Sequence, residues 1–305
     1  MTTLAPPPPR TSPVPDSLKR VSLSRRRRVT DRVAKGAIWC AVLIAVIPLG
    51  LVTAYVIIKG SQVMSWEFLT QRIPRQARTV GGGIGPAIVG TVVTTGFAAV
   101  MAIPLGVLGA IYLNEYGKQS LLARVIRTMA DVMTGVPSIV MGLFIYISYV
   151  LVVGEQNGFA GALALGCLML PVVIRTSEEM LRLVPDELRQ ASLALGARKW
   201  RTIVTVVLPA AVSGITSGAL LAIARAAGET APIVLVVGTT NRPNWSLFGG
   251  NTALSAQIFK NASQPFDAAV NRAWGAALTL VAIVLITTLI GRFVAGRFAI
   301  KDADR

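Results

Sequence analysis

Long apolar stretches recur along nearly the whole chain, and this recurrence constrains the fold more than any other feature of the sequence. Hydrophobic residues make up 53% of the 305 residues, and charged residues make up only 14%. Soluble domains contain about 45–50% apolar and about 25% charged residues. The composition therefore predicts one membrane-embedded bundle of helices, although length alone would allow two soluble domains.

Six apolar stretches are long enough to cross about 30 Å of hydrocarbon as helices, at about 1.5 Å per residue. The predicted spans are residues 36–58, 84–113, 130–153, 158–174, 207–238 and 273–293. Residues 1–36 are predicted to be a disordered basic tail, because the proline run at 6–9 excludes a helix there and a Ser/Thr/Pro mixture follows. The transmembrane domain then covers residues 37–305. A cleaved signal peptide is the alternative for the first stretch, but the apolar run is longer than a signal core.

The distribution of Lys and Arg predicts the orientation of these spans. If the N-terminus is cytoplasmic, 22 of the 30 basic residues fall on the cytoplasmic side, 7 fall in outer loops, and Arg225 lies inside a span. This bias indicates a plasma (inner) membrane protein with both termini cytoplasmic. The first outer loop departs from the trend, since it holds Lys59, Arg72, Arg75 and Arg78. Because the basic residues flank apolar spans, the net charge of +16 indicates contact with membrane lipid and not with nucleic acid.

Several classes of catalytic site are excluded by what the sequence contains. Histidine, the commonest general base and metal ligand, does not occur, and Cys40 and Cys167 both lie inside apolar runs. The segment Gly81-Gly82-Gly83 does not fit a phosphate-cradling motif, and the chain has no G-x-x-x-x-G-K-[ST] sequence. We therefore predict a chain that is not an enzyme and has no cofactor or metal of its own. If ATP drives the protein, ATP and Mg²⁺ must bind to a partner subunit.

The loop 175–209 is the longest predicted cytoplasmic connection, and its sequence predicts a short helix. Pro185 followed by Asp186 and Glu187 is typical of a helix start. One face of that helix contains Leu188, Ala191, Ser192 and Leu195, whereas Arg189 and Gln190 are predicted to turn away. Gly196 permits a left-handed stop, and a second short helix is expected from Ala197. Such a helix either docks into a groove of a partner or lies on the membrane surface.

Two opposite charges lie in the predicted fifth span. Arg225 is near its middle and Glu229 follows four residues later, so both are expected on one helix face. A charge at the bilayer centre costs roughly 2.5–3.5 kcal/mol on insertion scales, so it faces protein or water and usually has a partner. The pair therefore either locks helix packing, or Arg225 lines an anion path while Glu229 holds its side chain. Asp131 is expected to cap the third span, which Gly135 and Pro137 can loosen.

The loop also matches a family pattern. Gln190-Ala191-Ser192, three residues, Gly196, nine residues and V-V-L-P at 206–209 resemble the "EAA" loop of ABC-importer permeases, E-A-A-x₃-G-x₉-I-x-L-P. The departures are Gln190, Ser192 and Val206. The resemblance implies that the loop seats in a cleft of a separate nucleotide-binding subunit. The residues implied to couple to that ATPase are Asp186, Glu187, Gln190, Ala191, Ser192, Leu195, Gly196, Arg198 and Lys199.

Two further strings narrow the family. A-R-A-A-G-E-T-A-P-I at 224–233 resembles the signature of phosphate-specific ABC permeases of the PstA type, and I-P-L-G at 103–106 with I-Y-L-N-E-Y-G at 111–117 is similar to a second family motif. The resemblance implies an all-α type I (MetI-like) importer fold with six spans, and Arg225 and Glu229 on the substrate path. It implies a PstC-type second permease, two PstB-type ATPases, a PstS-type binding protein and phosphate as substrate. A permease for molybdate or sulfate, and a membrane scaffold without transport, are the alternatives.

Overall fold

The computed structural model describes residues 25–298, and the regular secondary structure in that range is all helical. The helices are α1 (Arg25–Ser61), α2 (Trp66–Thr70), α3 (Gly85–Gly117), α4 (Leu121–Gly135), α5 (Ser138–Val153), α6 (Gly158–Arg182), α7 (Asp186–Ala194), α8 (Lys199–Gly228), α9 (Ala231–Val236), α10 (Leu254–Ala262) and α11 (Asp267–Phe298). Three of them contain a π-helical segment: Tyr112–Gly117 in α3, Tyr146–Val150 in α5 and Ile203–Val207 in α8. The prediction of an all-α chain is confirmed.

Within the described range, α1, α3, α6, α8 and α11 are long and apolar enough to cross a membrane, and α4 with α5 would make a sixth span if this bent pair counts as one. In lipid every backbone polar group must be bonded internally, which is why such apolar stretches form helices. Of the described residues, those from Arg25 to Ala54 belong to one unit and those from Tyr55 onward belong to a second. In the first unit α1 begins at Arg25, so residues 25–36, which we placed in the tail, are helical. The rest of the predicted tail lies outside the described residues.

The core of the second unit lies where α3 packs against α6. Small residues allow the two helices to approach closely: a Cβ added at Gly106 would lie 2.6 Å from the side chain of Val173. Close packing through glycine and alanine is typical of membrane helices, because lipid gives apolar side chains little reason to associate. The helix α6 continues to Arg182, past its predicted end at residue 174. Its polar continuation stays helical because Glu178, 1% exposed, is paired with arginines there.

The third predicted span is broken near its start. The helices α4 and α5 are bent by 105° at Val136 and Pro137, both of which have extended backbone angles. Proline disfavours a helical conformation at the residue before it, so the break follows from Pro137. The expected loosening at this point is confirmed. Asp131, in contrast, is not a helix cap: it lies inside α4, and its carboxylate accepts hydrogen bonds from Arg175.

The prediction of one continuous fifth span over residues 207–238 is wrong. The helix α8 ends at Gly228, Glu229 is extended (φ −67°, ψ 125°), and α9 begins at Ala231 with Pro232 in its first turn. Pro232 can begin a helix but disfavours continuation of one. A Cβ added at Gly142 of α5 would lie 2.5 Å from the Cα of Pro232, so only glycine lets α9 pack this close. The break places Arg225 in the last turn of α8.

The bundle therefore has two distinct ends. One end, which we call the α7 end, contains the last turns of α3 and α6, the helix α7 and the start of α8. The contact between Arg189 of α7 and Glu115 of α3 shows that α7 lies beside the end of α3. The opposite end contains the start of α3, the loops before it, the start of α6 and α10; the N–H of Leu254 donates to Thr91 there. The loop predicted to couple and the charged pair Arg225–Glu229 thus lie toward different ends.

Candidate functional site

The helix α7 begins where the sequence predicts. Pro185 occupies the N-cap position with φ −59° and ψ 140°, and Asp186 and Glu187 lie in the first turn. Carboxylates in the first turn complement the positive end of the helix dipole. Both carboxylates are exposed. The predicted helix start is confirmed.

The helix α7 ends in a left-handed glycine cap. Gly196 has φ +82°, its N–H donates to the carbonyl of Leu193 at 2.9 Å, and the N–H of Ala197 donates to the carbonyl of Ser192 at 3.2 Å. These two bonds form the Schellman motif, which satisfies the last carbonyls of a helix. The predicted stop at Gly196 is confirmed. The following helix, α8, begins at Lys199 and runs without a break into the span, so the expected helix that leads from this loop into the fifth span is confirmed, with its start two residues later than Ala197.

Apolar side chains make much of the surface around α7. We define the α7 surface as the five exposed residues Leu183, Leu188, Leu193, Leu195 and Trp200. Leu195, beside Gly196, is 90% exposed, so its side chain contributes little to packing within this subunit. The exposed charges of α7 itself, Asp186 and Glu187, are acidic. A helix lying on a membrane carries Lys and Arg on its polar face. The composition of α7 therefore favours docking to a protein.

Most residues implied to couple are accessible on this end of the molecule. The exposed ones are Asp186, Glu187, Gln190, Ala191, Leu195, Gly196, Arg198 and Lys199. Ser192 is half-buried instead, because its hydroxyl is 2.9 Å from that of Thr202 and ties α7 to α8. Lys199 also bonds within the subunit: its Nζ donates to the carbonyl of Glu115 and lies 4.6 Å from the ring centre of Tyr116.

Arg189 turns into the bundle, which contradicts the prediction that it turns away with Gln190. Its Nε and one terminal nitrogen donate to Oε1 of Glu115 at 3.1 and 3.0 Å. It also donates to the carbonyls of Leu181 and Val184 and to the carboxylate of Asp186. Only 15% of the Arg189 side chain and 7% of the Glu115 side chain are exposed. Arg189 therefore anchors α7 to the last turn of α3.

A second buried carboxylate joins the helices around this anchor. Glu178 of α6, 1% exposed, accepts from Nε of Arg127 at 2.7 Å and from Arg182 at 2.6 Å, and Arg175 lies at 3.7 Å. Arg127 of α4 also donates to the carbonyls of Leu113 and Lys118 near the end of α3. Buried charge pairs of this kind define one arrangement of the groups they join, because each charge is costly without its partner. The pairs therefore connect α3, α4 and α6 at the α7 end.

Sequence reasoning missed Glu115, Arg127, Glu178 and the inward side of Arg189. The helical period of α7 separates its two faces but does not say which face meets the bundle. Glu115 lies in the motif I-Y-L-N-E-Y-G. A single acid between two tyrosines was the one feature of that motif that could have indicated a buried carboxylate. Its partner is 74 residues away, a distance over which no local pattern operates.

The pair Arg225–Glu229 lies at the break between α8 and α9. Nε of Arg225 is 3.7 Å from Oε1 of Glu229, although Glu229 is no longer helical. The backbone carbonyl of Glu229 accepts a hydrogen bond from Ser255 of α10 at 2.8 Å, so the break is fixed from outside α8. The predicted pairing is therefore present, but by a different geometry: the pair does not share one helix face.

The exposure of this pair is asymmetric. The side chain of Arg225 is 66% exposed and that of Glu229 is 18% exposed. In a membrane protein an exposed arginine on an apolar helix is costly unless it faces another subunit or water. The described residues cover only part of the Arg225 side chain. Its exposed side must therefore face another chain or water.

Comparison with known proteins shows the relatives of this chain. The family described as binding-protein-dependent transport system inner membrane component matches residues 102–300. Phosphate transport system permease protein PstA 1 of Mycobacterium tuberculosis (strain CDC 1551 / Oshkosh) is 45% identical over 285 residues, covering 90% of this chain and 92% of the relative. Phosphate transport system permease protein PstA of Yersinia pestis is 40% identical over 276 residues, covering 89% and 93%.

Solved structures with the same fold are ABC transporters of other substrates. A bacterial alginate ABC transporter, solved with a pentasaccharide-bound periplasmic protein, matches with a TM-score of 0.62 at 14% identity, covering 88% of this chain and 98% of its own. The inward-facing MetNI methionine ABC transporter matches with a TM-score of 0.57 at 21% identity, covering 72% and 95%. At these identities the likeness shows the fold alone, and it confirms the predicted ABC-importer permease architecture.

Proposed function

The chain belongs to the family of binding-protein-dependent transport system inner membrane components, and we propose that it forms half of the translocation path of an ATP-driven importer for inorganic phosphate. Relatives at 35–45% identity over most of the chain are named as phosphate permeases of the PstA type, which supports phosphate over molybdate or sulfate. The protein is a multi-pass inner-membrane subunit, and both termini are proposed to be cytoplasmic.

A permease of this family works with an ATPase and a substrate-binding protein. We propose the specific set as one PstC-type permease, two PstB-type ATPases and a PstS-type phosphate-binding protein. ATP and Mg²⁺ would bind to the ATPase subunits, and this chain would break no bond. The 35–45% identity to PstA-type relatives supports this composition.

The observation that carries the path proposal is the 66% exposed side chain of Arg225 at the helix break. A fixed cation facing an aqueous path attracts anions and repels cations. Glu229, 3.7 Å away, limits the positions that the guanidinium can adopt without removing it from the path. A second permease subunit would supply the facing wall, which explains why this chain leaves Arg225 uncovered.

Coupling to the ATPase is proposed to pass through α7. The α7 surface would seat in a groove of the ATPase, and movement of α7 would be transmitted to α3 by the bonds between Arg189 and Glu115. The Glu178 pairs then join α3 to α4 and α6. Two alternating arrangements of the spans, open to opposite sides in turn, are the expected result.

The substitution Arg225→Gln tests the path proposal in the complete complex reconstituted in vesicles. We expect uptake of labelled phosphate to fall at least tenfold, whereas the subunits still co-purify and ATP hydrolysis persists. Tenfold corresponds to about 1.4 kcal/mol, which is modest for loss of a charge that faces the transported anion.

Two controls make the result specific. Arg225→Lys keeps a cation and should retain more uptake than Arg225→Gln, and Arg124→Gln removes an exposed cation of α4 and should leave uptake unchanged. Phosphate uptake at the wild-type rate by Arg225→Gln would contradict the path proposal. Uptake of molybdate or sulfate in preference to phosphate would contradict the substrate.

A further inference from the structure

Arg272, in the second turn of α11, is a buried cation that no carboxylate neutralises within the described residues. It is 5% exposed, and none of the ion pairs found there includes it. Its terminal nitrogens donate to the carbonyls of Ala77 and Thr79 at 2.6 and 2.5 Å, and to that of Gly81 at 3.3 Å. Its Nε is buried and has no acceptor. Burial of an uncompensated charge is unfavourable, so an anion close to Arg272 would be stabilised.

Arg272 lines a cavity of about 230 Å³ whose wall contains no carboxylate. Two exposed cations, Arg75 and Lys260, line the same cavity. The wall also contains Asn261, 5% exposed, whose Nδ2 is buried and has no acceptor. Neutral donors are supplied by Gln257 and Gln264. Arg272 also borders a second cavity, and the wall of that one includes Glu67.

The cavity lies at the end opposite α7, between the loop 72–78, the loop after α9 and the helix α10. The loop 72–78 contains Arg72, Arg75 and Arg78, which depart from the bias of basic residues toward the cytoplasmic side. The helix α10 connects the cavity to the charged pair, since Ser255 of α10 donates to the carbonyl of Glu229. Of these arginines Arg75 lines the cavity, which lies toward the same end of the bundle as the charged pair.

We propose that this cavity binds a phosphate-sized oxyanion at the entrance of the path, a proposal that rests on the function proposed above. Three cations and neutral N–H donors, with no acid among them, suit anionic oxygens, since charge-assisted hydrogen bonds are the strong ones. A water molecule takes about 30 Å³ in the liquid, so the cavity has room for a tetrahedral anion with part of its hydration shell. Arg75 and Lys260, being exposed, attract the anion, and the anion's charge stabilises the buried guanidinium of Arg272.

The experiment uses Gln264→Cys in the complete complex in vesicles, with Cys40→Ser and Cys167→Ala in the same chain to remove its native thiols. Gln264 lines the cavity and is half-buried. We expect an anionic methanethiosulfonate to label the introduced thiol faster than a cationic one of similar size. Inorganic phosphate, exchanged for chloride at constant ionic strength, should slow that labelling.

Lys260→Gln is the charge-removing variant, and Arg242→Gln is its matched control, because Arg242 is an exposed cation at the same end that does not line the cavity. Loss of one nearby charge should lower the preference for the anionic reagent about fivefold. Arg242→Gln should leave the preference unchanged. Equal labelling by both reagents, or no effect of phosphate, would overturn the proposal.

Two further outcomes keep this proposal separate from the proposed function. Protection of the introduced thiol by phosphate-free binding protein, but not by phosphate, would overturn the oxyanion site in favour of a docking contact for an acidic side chain. Phosphate uptake is measured in the same vesicles. If uptake is normal but phosphate does not slow labelling, the oxyanion site is rejected and the proposed path stands. If phosphate slows labelling but the complex takes up no phosphate, the proposed path is rejected and the oxyanion site stands.

Discussion

At the scale of single residues, Glu115 and Arg189 determine how α7 is attached to the bundle. The carboxylate of Glu115 is nearly enclosed and accepts two hydrogen bonds from one guanidinium, while its backbone carbonyl accepts from Lys199. Three segments of the chain therefore meet at one residue. The rest of α7 is mostly exposed, so this contact and the Ser192–Thr202 bond carry much of the attachment.

We expect Glu115→Gln to uncouple ATP hydrolysis from transport. The neutral amide leaves Arg189 with its backbone carbonyls and Asp186 but removes the charge that holds α7 against α3. Hydrogen bonds to charged groups contribute about 1.5–3 kcal/mol, so the phosphate transported per ATP hydrolysed should fall about tenfold or more. The measurement is uptake and ATP hydrolysis in the same vesicles.

Glu155→Gln is the matched control, since Glu155 is an exposed acid at the opposite end of the bundle. The double variant Glu115→Gln with Arg189→Gln should lose little more coupling than either single variant, because both remove the same interaction. Strictly additive losses would show that the two residues act separately and would contradict a shared role.

The same residues show where prediction from sequence stopped. Gly196, Pro185 and the acids of α7 were predicted correctly, since caps and first-turn charges are local chemistry. The direction of Arg189 was predicted wrongly, because it depends on a carboxylate 74 residues away. Arg225 and Glu229 were correctly paired, and the asymmetry of their exposure required the three-dimensional structure.

At the scale of helices, the end of α7 offers a test of backbone geometry alone. A Cβ added at Gly196 meets nothing within 4 Å, so a side chain there has space. Its φ of +82° is nevertheless one that β-branched residues adopt with difficulty. Within this subunit a Cβ at Gly196 therefore causes no collision, and the first effect expected of a substitution is on the conformation of the loop.

We expect Gly196→Val to reduce the stimulation of ATP hydrolysis by phosphate-loaded binding protein. A left-handed conformation costs a β-branched residue roughly 1–2 kcal/mol, so the loop should change shape and present the α7 surface differently. Gly196→Asn is the control, since asparagine adopts this conformation readily. Ala194→Val tests whether bulk at an exposed neighbouring position matters. Wild-type stimulation in Gly196→Val would refute the role of the cap.

Helix breaks were harder to predict than helices. The bend between α4 and α5 was anticipated from Gly135 and Pro137, which act locally. The break at Glu229 was not, because the apolar content of residues 207–238 is continuous enough for a full span. Its cause includes the packing of Pro232 on Gly142, which is visible only when α5 and α9 are placed together.

At the scale of the whole molecule, the charge bias predicts that α7 and the segment after α10 lie on opposite sides of the membrane. We expect an impermeant thiol reagent added to intact cells to label Ser263→Cys but not Ala194→Cys, in a chain that lacks Cys40 and Cys167. Both positions are exposed on this subunit, and labelling after disruption of the cells shows whether a partner covers either of them. Labelling of the Ala194→Cys variant in intact cells would reverse the orientation, and disruption of the cells serves as the control that both thiols react.

The uncovered Arg225 also bears on how the complex is made. A newly inserted copy that has not yet met its neighbours leaves this guanidinium, 66% exposed, uncovered by protein. An uncovered charge in a membrane carries a free-energy cost that persists until another subunit or water surrounds it. An orphaned copy is thus the less stable species, and membrane proteolysis that samples such defects would remove it first. One side chain would in this way help to keep the subunits in balanced supply.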